Sequence, residues 1–131
     1  MKFIYIVVFL SVVPFGAFAD DVHERAKAKI VSRVYQVSFG AEEYCQKASP
    51  QNKKSFDDAL KNFLTKNGQL VRMIQSSPYY ENAKTTMESN KNKSVNVIDN
   101  DCQGLTWMLN SLINTTEGQK TIEESEKILR N

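Results

Sequence analysis

Histidine is nearly absent from this chain: His23 is the single imidazole in 131 residues. One imidazole leaves no His/Cys pair at zinc spacing, and no Cys-x-x-Cys-His run offers haem attachment. Glycine is scarce as well, five residues in all. None stands in a GxGxxG or P-loop pattern, so neither phosphate cradle is present, and no nucleophile elbow occurs. Charge of one sign is missing: 17 Lys and Arg face 15 Asp and Glu. So even a balance gives no electrostatic footprint for nucleic acid or anionic lipid. Beyond residue 19 no apolar run approaches the roughly 20 residues that a membrane-spanning helix needs.

What is present begins with residues 1–19, MKFIYIVVFLSVVPFGAFA. Lys2, an apolar run from Phe3 to Val13, the breakers Pro14 and Gly16, and small residues at Ala17 and Ala19 form an export signal, with cleavage expected before Asp20. No cysteine sits at the cleavage site, where the next residue is Asp20, so a bacterial lipoprotein is not indicated. Residues 20–131 are then a single domain, with a net charge of about +1 once Lys2 is removed. The expected location is the periplasm or the exterior, without stable membrane insertion.

The stretch Ile98 to Ile113 organises the rest. Ile98, Cys102, Leu105, Leu109 and Leu112 recur at helical spacing and share one stripe. Cys102 therefore faces inward, and its only available partner is Cys45. Two cysteines in an exported chain are read as one disulfide. Closing that span is worth about 4 kcal/mol in the chain-entropy model.

Helical periodicity predicts segments at 21–48, 50–75, 78–89, 95–114 and 119–129, with no convincing strand alternation. The first carries a broad arc (Ala26, Ile30, Val34, Val37, Ala41 and Tyr44, widened by Val31, Tyr35 and Phe39) suited to several neighbours. Gly40 is expected to interrupt it. Ser49-Pro50 and Ser77-Pro78 read as helix starts. Asn67-Gly68 could end the second helix, but the apolar phase continues across it, which favours one helix to about Gln75. Asn67 is then either a satisfied buried amide fixing register or a polar group lining a pocket. Ser89 to Ser94 reads as an exposed polar loop, and Thr115 to Gly118 as a turn. The class is all-α, an up-down bundle of four to five helices closed by Cys45–Cys102. Alternating helix directions bring the end of the first helix to the start of the fourth, which is where the two cysteines lie.

No catalytic set emerges. His23 reads as a packing residue, and Glu42 and Glu43 diverge by about 100° on a helix. Asp99 to Gly104 resembles the first half of a calcium loop, but the twelfth position is Asn110 instead of Glu. Asp99 and Asp101 suit the positive end of the helix dipole better. No cofactor or metal is expected. Trp107 lies on the side carrying Gln103, Asn110 and Asn114, either covered by the last helix or exposed for a partner. Tyr79 and Tyr80 diverge in direction near the basic run Lys91 to Lys93. Trp107, Tyr79 and Tyr80 are therefore the partner-binding candidates. Two glycosylation patterns, Asn92-Lys93-Ser94 and Asn114-Thr115-Thr116, matter only in a eukaryotic pathway.

In size, compartment and cysteine count the chain is similar to small periplasmic helical proteins with one disulfide, such as acid-stress chaperones and immunity proteins; such likeness does not establish function. The expected function is a non-enzymatic interaction protein (an inhibitor, immunity protein or periplasmic adaptor) whose partner is another exported protein. The alternative is a carrier of a small apolar ligand in the bundle core, oriented by Asn67 and Tyr44.

Overall fold

Hydrophobic stripes at helical period leave little choice of element, and every regular element among the described residues is a helix. The structure, a computed structural model, describes residues 19–87 and 93–131. The expected export signal lies outside the described residues apart from Ala19, as does most of the expected polar loop. The helices are α1 (Ala19–Val37), α2 (Phe39–Cys45), α3 (Pro50–Lys66), α4 (Gly68–Gln75), α5 (Tyr80–Met87), α6 (Val95–Asn114) and α7 (Thr116–Arg130). No helix among the described residues is long and apolar enough to cross a membrane.

The helices outnumber the four to five expected because two long ones are broken. The first breaks at Ser38, not at Gly40. Ser38 is fully buried, and its hydroxyl donates to the Val34 carbonyl. That carbonyl also takes the Ser38 N–H at 3.1 Å. A serine bonding back to the fourth residue before it tends to bend a helix, and α2 begins anew at Phe39.

The second break, at Asn67, corrects the expectation of one helix to Gln75. The Asn67 backbone N–H and Nδ2 both donate to the Phe63 carbonyl, at 2.9 and 3.2 Å, which closes α3. The Asn67 carbonyl accepts from Val71 N–H at 3.0 Å and opens α4. Phe56, Leu60 and Phe63 before the break and Leu70 and Ile74 after it are all buried. The apolar phase thus survives a break that it gives no sign of. Asn67 is a half-buried amide satisfied at the junction.

Two boundaries also move. Ser77 does not open a helix at Pro78: its hydroxyl accepts from Tyr79 N–H at 3.1 Å, and α5 starts at Tyr80. The expected turn after Thr115 is already α7, because the Thr115 hydroxyl accepts from Gly118 N–H at 2.9 Å and caps the new helix.

The core sits between α1, α3, α4, α6 and α7, around Ile30, Phe56, Phe63, Leu70, Ile74 and Leu109. Each such side chain contributes about 1.5–3 kcal/mol of burial before entropy is set against it. Helix α3 lies along α6 over the longest contact; α7 folds back on α6 and reaches α4 and α1; α5 rests on α1. In α6, Ile98, Cys102, Leu109 and Leu112 are buried and Leu105 is half-buried, so the organising stripe faces the core. Cys45 and Cys102 are joined, both with no exposed surface and with Cα atoms 5.9 Å apart.

Candidate functional site

Ionisable side chains gather where α2 and α3 meet the start of α6. Ser49 precedes α3, and its backbone N–H, one of the donors that a helix start leaves without an intrahelical acceptor, donates to Asp99 Oδ1 at 2.7 Å. That bond, with help from Asn52 and the Ser49 hydroxyl, holds the Asp99 carboxyl below the usual carboxylate range. Two residues on, Asp101 Oδ2 accepts the Tyr44 hydroxyl at 2.6 Å. Burial first, and then the Asp101 carboxylate, push the Tyr44 phenol up to about 12. Lys93 Nζ stands 3.8 Å from the same Asp101 oxygen and 5.8 Å from the Tyr44 ring centre. These side chains fasten the disulfide end of the fold; each polar contact named is with another part of the chain.

The two tyrosine candidates sit at the start of α5, in different surroundings. Tyr79 donates its hydroxyl to Glu24 Oε1 at 2.6 Å. The bond lowers the Glu24 carboxyl and raises the Tyr79 phenol. Glu24 also pairs with Lys27 at 3.4 Å. With Met73, Ser77 and Leu129 these residues line a cavity of about 250 Å³ between α1, α4 and α7. Tyr80 turns the other way, its ring edge-on to Tyr35 at 5.6 Å and to Phe39 at 6.5 Å. The cation over Tyr80 is Lys84, at 5.7 Å, whereas Lys93 of the basic run stands over Tyr44.

Trp107 belongs to another part of the molecule. It lies on α6, which packs on α3, α7 and α2, while α5 rests on α1. Its relative exposure is 37%. The outer face of α6 carries Asn96, Asn100, Gln103, Trp107, Asn110 and Asn114, all exposed. They recur at steps of four and three and fall within about 80° of the helix circumference. None bears a charge. The sequence placed Gln103, Asn110 and Asn114 beside Trp107 but missed Asn96 and Asn100; the signal that could have found them is the lack of any Lys, Arg or Glu in Val95–Asn114. By contrast α7 carries Glu117, Lys120, Glu123, Glu124, Glu126, Lys127 and Arg130 in fifteen residues.

The carrier alternative needs Asn67 and Tyr44 at one pocket. Asn67 closes α3 at its far end, while Tyr44 stands beside the start of α6 at the near end. The seventeen residues of α3 separate those ends by about 25 Å. Among the described residues no group of three or more His, Cys, Asp or Glu side chains could hold a metal ion. No protein-family model, curated protein or solved structure matches the chain.

Proposed function

We propose that this chain is a small exported recognition protein that performs no covalent chemistry. Its helices alternate in direction as an up-down bundle closed by Cys45–Cys102, and the bundle holds α6 rigid so that its outer face meets a partner. The observation that carries this reading is Trp107: a large aromatic, 37% exposed, at the middle of a charge-free strip on the helix that the disulfide fixes. Tryptophan is among the residue types enriched at the few positions that dominate binding at protein interfaces. A helix pinned on its inner side also loses little conformational freedom on binding. The partner is another exported macromolecule.

The test is capture from an extracytoplasmic extract with the disulfide-bonded chain as bait, beside its Trp107→Ala variant. Partner binding at micromolar concentration that Trp107→Ala abolishes supports the reading. Binding unchanged in that variant, or no binding by either form, counts against it.

A further inference from the structure

We propose that the cavity between α1, α4 and α7 binds a single free α-amino acid with an apolar side chain. The site is separate from the recognition face and shares no residue with α6. Its volume of about 250 Å³ lies below the roughly 300–1,000 Å³ of pockets that take drug-sized ligands, so the occupant is small. One carboxylate and one ammonium line the cavity, Glu24 and Lys27, 3.4 Å apart. Met73, Pro78 and Leu129 add apolar wall, and Ser77 and Tyr79 close it on the side of α5.

The polar groups of the wall are paired but not saturated. A carboxylate offers about four lone-pair positions and an ammonium three protons. Among the described residues, Glu24 spends one position on the Tyr79 hydroxyl and one on Lys27, and Lys27 spends one proton on Glu24. The Tyr79 hydroxyl, ahead of Lys27, lowers the Glu24 carboxyl, which keeps it an anion at neutral pH. The Ser77 hydroxyl accepts from the Tyr79 N–H and still has its own proton to give. An α-amino acid carries its ammonium and carboxylate on one carbon, so together they answer a pair of charges this close. The ammonium goes to Glu24, and the carboxylate to Lys27 and Ser77. The side chain then lies on Met73 and Leu129, where removal from water favours it. A ligand with a single charge would leave one member of the pair desolvated without a counter-charge. A peptide is the poorer fit, because its terminal charges sit on different residues, at least one Cα step of about 3.8 Å apart.

The test is an NMR titration of the isotope-labelled, disulfide-bonded chain with L-leucine, beside isoamylamine and isocaproate. These analogues keep the branched tail but carry only the ammonium or only the carboxylate. The expected result is saturable shifts at the Met73 methyl and the Ser77 and Tyr79 amides with L-leucine, and binding of either analogue weaker by about tenfold or more. Glu24→Gln and Lys27→Met each weaken L-leucine by a similar factor, and Lys27→Met removes its advantage over isoamylamine. Unchanged amide signals from the buried side of α6 show that both variants remain folded. No saturable shift at high-millimolar L-leucine, equal binding of L-leucine and either analogue, or an unchanged L-leucine affinity in either variant overturns the proposal. The recognition reading is judged separately, by Trp107→Ala, and none of these outcomes bears on it.

Discussion

The two ends of α6 are fastened by different chemistry. At the start, Cys102 is bonded to Cys45, Asp99 takes the Ser49 N–H, and Asp101 takes the Tyr44 hydroxyl. At the far end the fastening is mostly uncharged and close-packed. A Cβ at Gly118 would lie 2.2 Å from the Ser111 carbonyl oxygen and 2.6 Å from Leu112 Cα, so only glycine lets α7 approach α6 this closely. Thr115 donates its hydroxyl to the Ser111 carbonyl at 2.7 Å, and Lys66 Nζ reaches the Ile113 carbonyl at 3.2 Å. The first end answers to redox state and pH. The second answers to volume.

The largest effect should come from opening the covalent link. Cys45→Ala together with Cys102→Ala is expected to cost about 4 kcal/mol in urea unfolding, mainly by freeing the unfolded chain. Reductant should lower the wild type towards the double variant and leave the variant itself unchanged. Gly118→Ala attacks the other end and is expected to cost about 3 kcal/mol, the high side of overpacking, because the added methyl meets backbone that cannot turn aside. Its cost should be the same with and without reductant. A cost that vanished on reduction would mean that the two ends are not independent.

The pH response separates the ends more finely. Tyr44→Phe removes one hydrogen bond to a carboxylate and is expected to cost about 1 kcal/mol at neutral pH. The Tyr44 phenol is raised in the folded state to about 12. Its contribution is therefore present below the ordinary phenol value near 10 and lost as pH climbs towards 12. Asp99 runs the opposite way. Its carboxyl is lowered on folding, so its contribution is present above the unfolded value and lost as pH falls through the folded one. Asp99→Asn should flatten the acid limb of a stability-against-pH curve, and Tyr44→Phe the alkaline limb. Gly118→Ala should displace the whole curve and leave its shape alone.

These contrasts also mark how far the sequence could be read. The disulfide was legible because a stripe fixes direction: Cys102 shares a face with Ile98 and Leu109, and only one partner existed. The buried side of α6 was legible for the same reason. The partners of Asp99 and Asp101 were not, since Ser49 and Tyr44 lie 50 and 57 residues away and no local period encodes so distant a contact. Both aspartates were read as dipole complements, a role that needs no partner. Gly118 was read as the end of a turn because glycine signals turns and close approaches equally, and only the position of α6 decides between them. The row was half legible, since Trp107 drew attention to its neighbours but not to Asn100 and Asn96, three and seven residues before Gln103. Of the partner-binding candidates, Tyr80 spends its ring on Tyr35 and Phe39, contacts that depend on how α5 settles on α1.

The smallest expected effect comes from the other glycine at a helix junction, and it sharpens the contrast most. A Cβ at Gly68 would meet only the Arg72 guanidinium, at 3.3 Å, and Arg72 is exposed and able to swing aside. Gly68 opens α4 directly after Asn67, and its backbone is not in the left-handed region. Gly68→Ala should therefore stabilise the fold by about 0.5 kcal/mol, by restricting the unfolded chain and favouring the helix. If Asn67 alone makes the break, through its two bonds to the Phe63 carbonyl, this variant leaves it in place and the amide protection of Val71 is unchanged. A fused α3–α4 helix in Gly68→Ala, seen as new protection across 67–70, would instead assign the break to glycine. Two glycines each beside a helix cap would then differ by more than 3 kcal/mol in what a single methyl does, because one faces a mobile side chain and the other faces a helix backbone.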